Sequence, residues 1–302
     1  MKHFKPSNNS AATTMQQLLV MAFATLTIGC GEKKSDGVDA HESDGVNAKN
    51  SNSKELETDN VITKTLGVNY NTLEKIDGIV HLKGSHLPYT GKYFDVYKNG
   101  QKKETGSYKD GREEGIQIMW YDNGKKLSEV NVKRNEQHGL STFWYKSGNK
   151  KSETNWRDGK PDGSMSSWHE NGQKMENGTY KEGKLDGPSL AWHENGLKAM
   201  ELTFKDGKQE GLKNTWYENG QRMEKGTYED GKLDGPLVTW HENGQKEQES
   251  NWKDGQVDGT LTLWHKNGKK MLQGTMKSGK TISKQFWNSK GEEVDSQEKA
   301  EQ

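Results

Sequence analysis

The segment Gly187-Pro-Ser-Leu-Ala-Trp-His-Glu-Asn-Gly-Leu-Lys-Ala-Met-Glu-Leu-Thr-Phe-Lys-Asp-Gly-Lys-Gln-Glu210 is one copy of a unit that recurs along the chain. Its tryptophan returns every 24 residues, as Trp120, Trp144, Trp168, Trp192, Trp216, Trp240 and Trp264. Such a period indicates that one small unit is stacked repeatedly, each copy burying its face only against its neighbours. The repetition also argues against an enzyme, because catalysis needs one site whose residues differ from those of the other units, and here the same residue types recur in every unit.

Each unit reads as two strands joined by a turn. Asn-Gly between alternating strands is a strong hairpin signal, because both residues tolerate positive φ. A two-residue Asn-Gly loop would pair Trp192 with Ala199 and send Phe204 to the opposite face. We expect instead a three-residue Glu-Asn-Gly loop, which would put Trp192, Leu190, Leu202 and Phe204 together on one face.

The periodic tryptophans are therefore predicted to be the structural core. The small residues of another column are expected to leave room for their rings, namely Gly106, Thr154, Gly178, Gly226, Ser250 and Gly274. The predicted fold is all-β: an elongated single-layer antiparallel sheet of tandem 24-residue β-hairpin repeats.

Composition supports this thin architecture. Only 28% of the 302 residues are hydrophobic and 29% are charged, which is too polar for a large spherical core. Lys+Arg and Asp+Glu both total 44. A near-neutral, interspersed balance lacks the basic stripe that nucleic acid prefers, so no nucleic-acid partner is expected.

The N-terminal region has the layout of an export signal. Basic Lys2 and Lys5 precede an apolar stretch, Leu18–Cys30, that is too short to span a bilayer comfortably. Its end, Leu26-Thr-Ile-Gly-Cys30, resembles a bacterial lipoprotein box, whose cysteine becomes the lipidated first residue of the mature chain. We therefore expect lipidation at Cys30, the only cysteine. The alternative is a plain cleaved signal or a membrane anchor.

These features predict five segments. Residues 1–29 are the signal peptide, and 30–66 are the lipidated cysteine and a flexible tether rich in Ser, Asp, Asn, Gly and Lys. Residues 67–90 form an N-terminal cap that includes a strand at Ile79–Lys83. Eight repeats follow over 91–282. Residues 283–302 are a C-terminal cap strand and a tail, which we expect to be disordered after Val294.

The unit resembles the MORN repeat, and more closely the bacterial MORN-variant repeat. The shared pattern is Gly-x-x-x-x-Trp-(Tyr/His)-x-Asn-Gly, followed by (Tyr/Trp)-x-Asp-Gly-x-x-x-Gly, and Leu82–Lys92 is similar to the entry segment of that family. The resemblance covers residues 78 to about 291. It implies an elongated sheet of stacked hairpins used as a binding scaffold. Many bacterial members carry the label "antitoxin".

One row is a candidate binding face: Tyr97, Tyr121, Tyr145, His169, His193, Tyr217, His241 and His265. We expect it to project from the face opposite the tryptophans, so that His193→Ala costs under about 1 kcal/mol while Trp192→Ala costs about 3–5 kcal/mol. A metal site is not expected, because equivalent residues of successive units lie about 9.5 Å apart. No cofactor is expected.

Acidic pairs flank the turns between units: Asp158/Asp162, Glu182/Asp186, Asp230/Asp234 and Asp254/Asp258. They are interpreted as turn residues, with calcium ligands as the alternative, because Asp before Gly is turn chemistry.

The leading functional prediction is a non-enzymatic extracytoplasmic lipoprotein at the cell membrane or outer membrane, facing the periplasm or cell surface. Its sheet would bind an unknown envelope protein. The alternatives are a module that binds cell-wall or polysaccharide glycans, since exposed aromatic rings stack on sugars, and an antitoxin or immunity-like protein. Ring exposure discriminates the first two, because solvent-facing aromatic troughs would favour a glycan.

Overall fold

The computed structural model describes residues 67–301, all within the unit Asn52–Gln302. They form one long sheet of 20 strands and a separate two-stranded sheet, with very little helix. The predicted signal, Cys30 and tether lie outside the described residues. The predicted all-β sheet of tandem hairpins is confirmed.

The strands run in chain order. They are β1 (Val68–Asn69), β2 (Leu73–Ile76), β3 (Ile79–Leu82), β4 (Gly91–Val96), β5 (Lys102–Lys109), β6 (Arg112–Trp120), β7 (Lys126–Lys133), β8 (Glu136–Trp144), β9 (Lys150–Arg157), β10 (Lys160–Trp168), β11 (Lys174–Lys181), β12 (Lys184–Trp192), β13 (Lys198–Lys205), β14 (Lys208–Gln209), β15 (Gly211–Trp216), β16 (Arg222–Glu229), β17 (Lys232–Trp240), β18 (Lys246–Lys253), β19 (Gln256–Trp264), β20 (Lys270–Lys277), β21 (Lys280–Trp287) and β22 (Glu293–Val294). A 3-10 helix spans Tyr70–Thr72, and helix α1 spans Gln297–Ala300.

From β4 to β22 the long sheet is an antiparallel meander in which each strand pairs with its neighbour in the chain. Strands β14 and β15 both pair with β13 and act as one strand interrupted at Glu210. At the N-terminal edge, β1 pairs in parallel with β4. Strands β2 and β3 form the separate sheet, and β3 lies where a capping strand is predicted.

Two kinds of turn alternate along the meander. Between units, Asp206 and Gly207 have φ of 51° and 83° and form a two-residue hairpin loop flanked by the paired Lys205 and Lys208. Positive φ at both central residues defines the type I′ turn, which fits the twist of the strands. Within a unit, Gly196 (φ 84°) donates its N–H to the His193 carbonyl, and His193 donates to the Leu197 carbonyl. The predicted three-residue Glu-Asn-Gly loop is confirmed.

The prediction that Trp192 and Phe204 share a face is wrong, because a second irregularity follows the loop. Trp192 pairs with Lys198, but the next pair is Ala191 with Met200, so Ala199 is an extra residue in β13. Such a β-bulge shifts the alternation of one strand by one residue. Phe204 therefore lies opposite Gly187, on the other face from Trp192. The same shift occurs at each of the periodic tryptophans.

One face of the sheet is consequently the better buried one. We define the buried face by one residue of each unit's first strand: Tyr93, Gln117, Ser141, Met165, Ser189, Lys213, Leu237 and Leu261, all of which are buried. A second aromatic column, whose aromatic and apolar members recur every 24 residues in the second strand of each unit, extends this face. Its buried members are Tyr108, Val132 and Tyr180, and its half-buried members are Trp156, Phe204, Tyr228, Trp252 and Met276. Each member sits opposite a glycine of the preceding strand, as Phe204 does opposite Gly187.

The small column also serves the buried face and leaves no room for tryptophan rings, contrary to the prediction. A Cβ on Gly106 would overlap the Gln117 amide and lie 2.8 Å from the Tyr93 ring. At Gly226 it would lie 3.2 Å from both Leu233 and Leu237. These positions are small because side chains of neighbouring strands pack across them.

Both ends of the long sheet carry additional packing. At the N-terminal end, Leu73 and Val80 of the two-stranded sheet form a core with Tyr93 and Tyr108. At the C-terminal end, Ala300 of α1 is fully buried with Leu261, Leu272 and Phe286. The prediction of a disordered tail after Val294 is therefore wrong. Neither helix of residues 67–301 has the length and hydrophobicity of a membrane-spanning segment.

Candidate interaction surface

The face opposite the buried face, here called the tryptophan face, carries a row in which cations and indoles alternate along the sheet. Lys174 lies over the Trp192 ring, and Lys198, the cross-strand partner of Trp192, lies over the Trp216 ring. Cation-to-centroid distances along the row are 5.2–5.8 Å. The eight cations are Lys102, Lys126, Lys150, Lys174, Lys198, Arg222, Lys246 and Lys270. Each contact is a cation–π pair of about 0.5–1 kcal/mol at such a site.

These tryptophans are half-buried rather than a buried core, contrary to the prediction. All seven periodic rings fall in this intermediate class. Beside them on the same face runs an exposed column that is mostly apolar, with Ser164 and Thr260 as its polar members. Ile116, Leu140 and Leu212 have exposures of 50%, 44% and 52%, and Pro188 and Pro236 occupy the same column. Aromatic, aliphatic and cationic groups thus share one open surface.

The predicted binding row of tyrosines and histidines is placed differently from expectation. Each side chain reaches forward to the tryptophan carbonyl of the next unit: Tyr121 Oη donates to the Trp144 carbonyl at 2.8 Å, and His193 Nε2 lies 2.9 Å from the Trp216 carbonyl. The remaining six make the same contact, at 2.6–3.1 Å: Tyr97, Tyr145, His169, Tyr217, His241 and His265. His193 is only 7% exposed, and the others are half-buried. The row therefore ties successive hairpins together instead of projecting freely.

The loops add a second ladder beside this row. Asn195 Nδ2 donates to the Glu218 carbonyl of the next loop, while its Oδ1 accepts the N–H of Leu197. Asn171, Asn219 and Asn243 repeat the first contact. Hydrogen bonds of this kind between successive units each stabilise the array modestly, by about 1 kcal/mol.

The acidic pairs are turn residues, as predicted. The first member takes positive φ in the turn, for example Asp230 at 54° and Asp254 at 50°. In three of the four pairs the second member caps the following turn; Asp234 Oδ2, for example, accepts the N–H of Asp254 at 3.1 Å. No group of three or more metal-ligating side chains occurs in the part of the chain that the structure describes.

Ionisable groups also lie on the buried face. Lys213 and Glu224 form an ion pair at 3.0 Å, with side-chain exposures of 8% and 12%. Glu176 lies opposite Ser167 on one side and Ala191 on the other. Its Oε2 is enclosed without a hydrogen-bond partner among residues 67–301. Burial raises the pKa of Glu176 to about 7, because desolvation disfavours the charged carboxylate.

The histidine–tyrosine row gives a stability prediction that reverses the sequence-based expectation. His193→Ala should cost about 2 kcal/mol, because it removes a buried ring and leaves the Trp216 carbonyl without its partner. Glu194→Ala, in the same loop but exposed, should change stability by less than about 0.5 kcal/mol. Urea unfolding monitored by circular dichroism measures both. Equal costs would show that the row does not link the units.

Glu176 predicts a pH-dependent stability. Its pKa is raised from 4.5 to about 7 in the folded state, so its contribution is complete below about pH 4.5 and is lost as pH rises toward 7. Relative to Glu176→Gln, which carries no charge, the wild type should lose about 2 kcal/mol between pH 5 and pH 8. Urea unfolding across this range gives the difference. A constant difference between the two proteins would contradict the buried placement of the carboxyl group.

The repeats match a known family. Five segments fit the profile of the MORN repeat variant: residues 113–134, 137–158, 161–182, 209–230 and 233–254. No curated protein matches the chain. The matched segments contain five of the seven periodic tryptophans, and the unmatched interval 183–208 between two of them contains the same hairpin geometry. Five units of the chain, within residues 113–254, are thus repeats of the MORN variant type.

Proposed function

We propose that this chain is a non-enzymatic scaffold whose tryptophan face binds a protein partner in the cell envelope. The observation that carries the proposal is the contrast between the two faces. One face is buried along the repeats, whereas the other presents half-buried indoles, exposed aliphatic side chains and cations in register. Aromatic and cationic side chains that are already ordered in the free protein are typical interface anchors.

The non-enzymatic part of the proposal rests on the family and on repetition. The MORN repeat family is generally non-catalytic. The ionisable groups of the buried face, such as Glu176 and the Lys213–Glu224 pair, are enclosed by neighbouring strands. We therefore assign them to stability and not to chemistry.

A glycan partner is less well supported than a protein. Sugar rings stack on the open π-face of an aromatic side chain, but a lysine or arginine already lies over each periodic indole at 5.2–5.8 Å. Stacking would require these cations to move away. Among residues 67–301, no structural feature favours the antitoxin-like alternative.

The location of the scaffold is proposed from the N-terminal sequence. Export through residues 1–29 and lipidation at Cys30 would place the repeats in the periplasm or at the cell surface, attached to the membrane through acyl chains. This arrangement suits a protein whose interaction surface is a long sheet held near a membrane.

Position-specific photo-cross-linking tests the proposed surface. A photoreactive phenylalanine analogue at Leu140 or Leu212 should capture the partner protein in intact cells, because these side chains are exposed on the tryptophan face. Leu197 is the matched control, since it is 45% exposed but lies in a hairpin loop. A protein captured equally at all three positions, or cross-links to polysaccharide only, would contradict the proposal.

Cys30→Ser tests the anchoring. The thiol is the proposed site of lipidation, so the variant should lose labelling by radioactive palmitate and move from the membrane to the soluble fraction. The measurement is fluorography of immunoprecipitated protein after labelling in cells. Undiminished labelling of the variant would rule out the lipoprotein assignment.

A further inference from the structure

The tryptophan face carries a row of free hydrogen-bond donors. An indole N–H is a donor only. None of the seven periodic indoles donates to a group among residues 67–301, and none of their nitrogens is enclosed. On the buried face, by contrast, Trp252 donates to Ser250 Oγ at 2.8 Å, and the Trp156 nitrogen is buried. The tryptophan face therefore offers one accessible donor per unit.

The spacing of these donors selects among ligand conformations. Successive tryptophans are two strands apart, which corresponds to about 9.4–9.8 Å. A polyproline II helix returns to the same face every three residues, or about 9.3 Å. An α-helix does so after seven residues, or about 10.5 Å, and an extended strand after about 6.7 Å. Of these three repeat distances, that of the polyproline II helix differs least from the spacing of the tryptophans, so its residues stay aligned with them over several units.

The chemistry of the surface also fits such a ligand. The backbone of a polyproline II helix makes no internal hydrogen bonds, so its carbonyl oxygens can accept from the indole nitrogens. Its proline rings can pack on the exposed aliphatic column that includes Ile116, Leu140 and Leu212. Aromatic-lined surfaces recognise proline-rich segments in this way.

Charge specifies the ligand further. Four cations of the row pair with a glutamate three residues later, as Lys150 does with Glu153 at 2.6 Å. The other four, Lys102, Lys174, Arg222 and Lys270, have no carboxylate partner in the described part of the chain, and Lys270 instead contacts Gln273. The row thus has an excess of positive charge, which an acidic ligand would complement.

We propose that the tryptophan face binds an acidic, proline-rich segment of a partner protein as a polyproline II helix that crosses the strands, three residues to each unit. The proposal rests on the scaffold function proposed above and names the class of its partner. One ligand carbonyl per unit accepts from an indole, prolines cover the aliphatic column, and acidic side chains pair with the free cations.

Titration with synthetic peptides tests this proposal. The full chain carrying Cys30→Ser is titrated calorimetrically with (Pro-Pro-Glu)n peptides of three to six triplets. Each added triplet should tighten binding by about threefold to tenfold, because it adds one hydrogen bond and, at the units whose cation is free, one ion pair. A (Gly-Ser-Glu)n series of matched length and charge should bind at least about tenfold more weakly, because it lacks the preformed helix and the proline rings.

Trp168→Phe, Trp192→Phe and Trp216→Phe together provide the second arm. Phenylalanine keeps an aromatic ring but removes the indole donor, so the triple variant should bind the six-triplet peptide about tenfold more weakly. Trp252→Phe, on the buried face, is the control and should bind as the wild type does. Circular dichroism verifies that each variant is folded.

Three outcomes would overturn the proposal: equal binding of both peptide series, no change in the triple variant, or binding only to anionic phospholipid vesicles. These outcomes are distinguishable from failure of the scaffold function. If Leu140 cross-links to a protein partner while no proline-rich peptide binds, the scaffold stands and the ligand class is wrong. If neither occurs, the surface itself is wrong.

Discussion

The extra residue after each hairpin loop determines which side chains lie on each face of the sheet. In the central unit it is Ala199, which is buried and opposes no residue of its own in β12. Side chains alternate strictly along a strand. One inserted residue therefore moves the side chains of the rest of that strand to the opposite faces of the sheet. It places the second aromatic column opposite the periodic glycines on the buried face and leaves the tryptophans on the other.

Because of this exchange, the two kinds of aromatic residue have different structural roles. The tyrosines and histidines beside the loops hold neighbouring units together through carbonyl contacts such as that between Tyr145 Oη and the Trp168 carbonyl at 2.8 Å. The tryptophans, covered by cations from the preceding unit, stay near the surface. His193 therefore links successive units, while the adjacent Trp192 lies on the face that we propose to bind the partner. A stiff array of equal steps is well suited to a ligand that is itself periodic.

Much of this fold could be predicted from the sequence. The 24-residue period, the three-residue loop ending at Gly196 and the Asp-Gly turns between units all follow from local chemistry. The bulge could not be predicted from the loop, because the inserted position is occupied by residues as different as Lys103, Leu127 and Ala199. The periodic glycines of the first strands indicate the shift. A large residue such as Phe204 requires a position without a side chain in the neighbouring strand, and Gly187 occupies that position only when the bulge is present. The role of the tyrosine and histidine row was missed for the same reason, since it depends on where the next unit's carbonyls lie.

The register of the hairpin determines which face carries the tryptophans, and cross-strand disulfide formation measures this register. In a Cys30→Ser background, Ala191→Cys with Met200→Cys should oxidise readily, because these residues are direct partners with Cβ atoms about 4.5–5.5 Å apart. Leu190→Cys with Met200→Cys should remain reduced, since the bulge puts the two side chains on opposite faces. Counting free thiols after oxidation gives the answer. Efficient closure of the Leu190–Met200 pair and failure of the Ala191–Met200 pair would mean that the bulge is absent and that the tryptophans belong to the buried core.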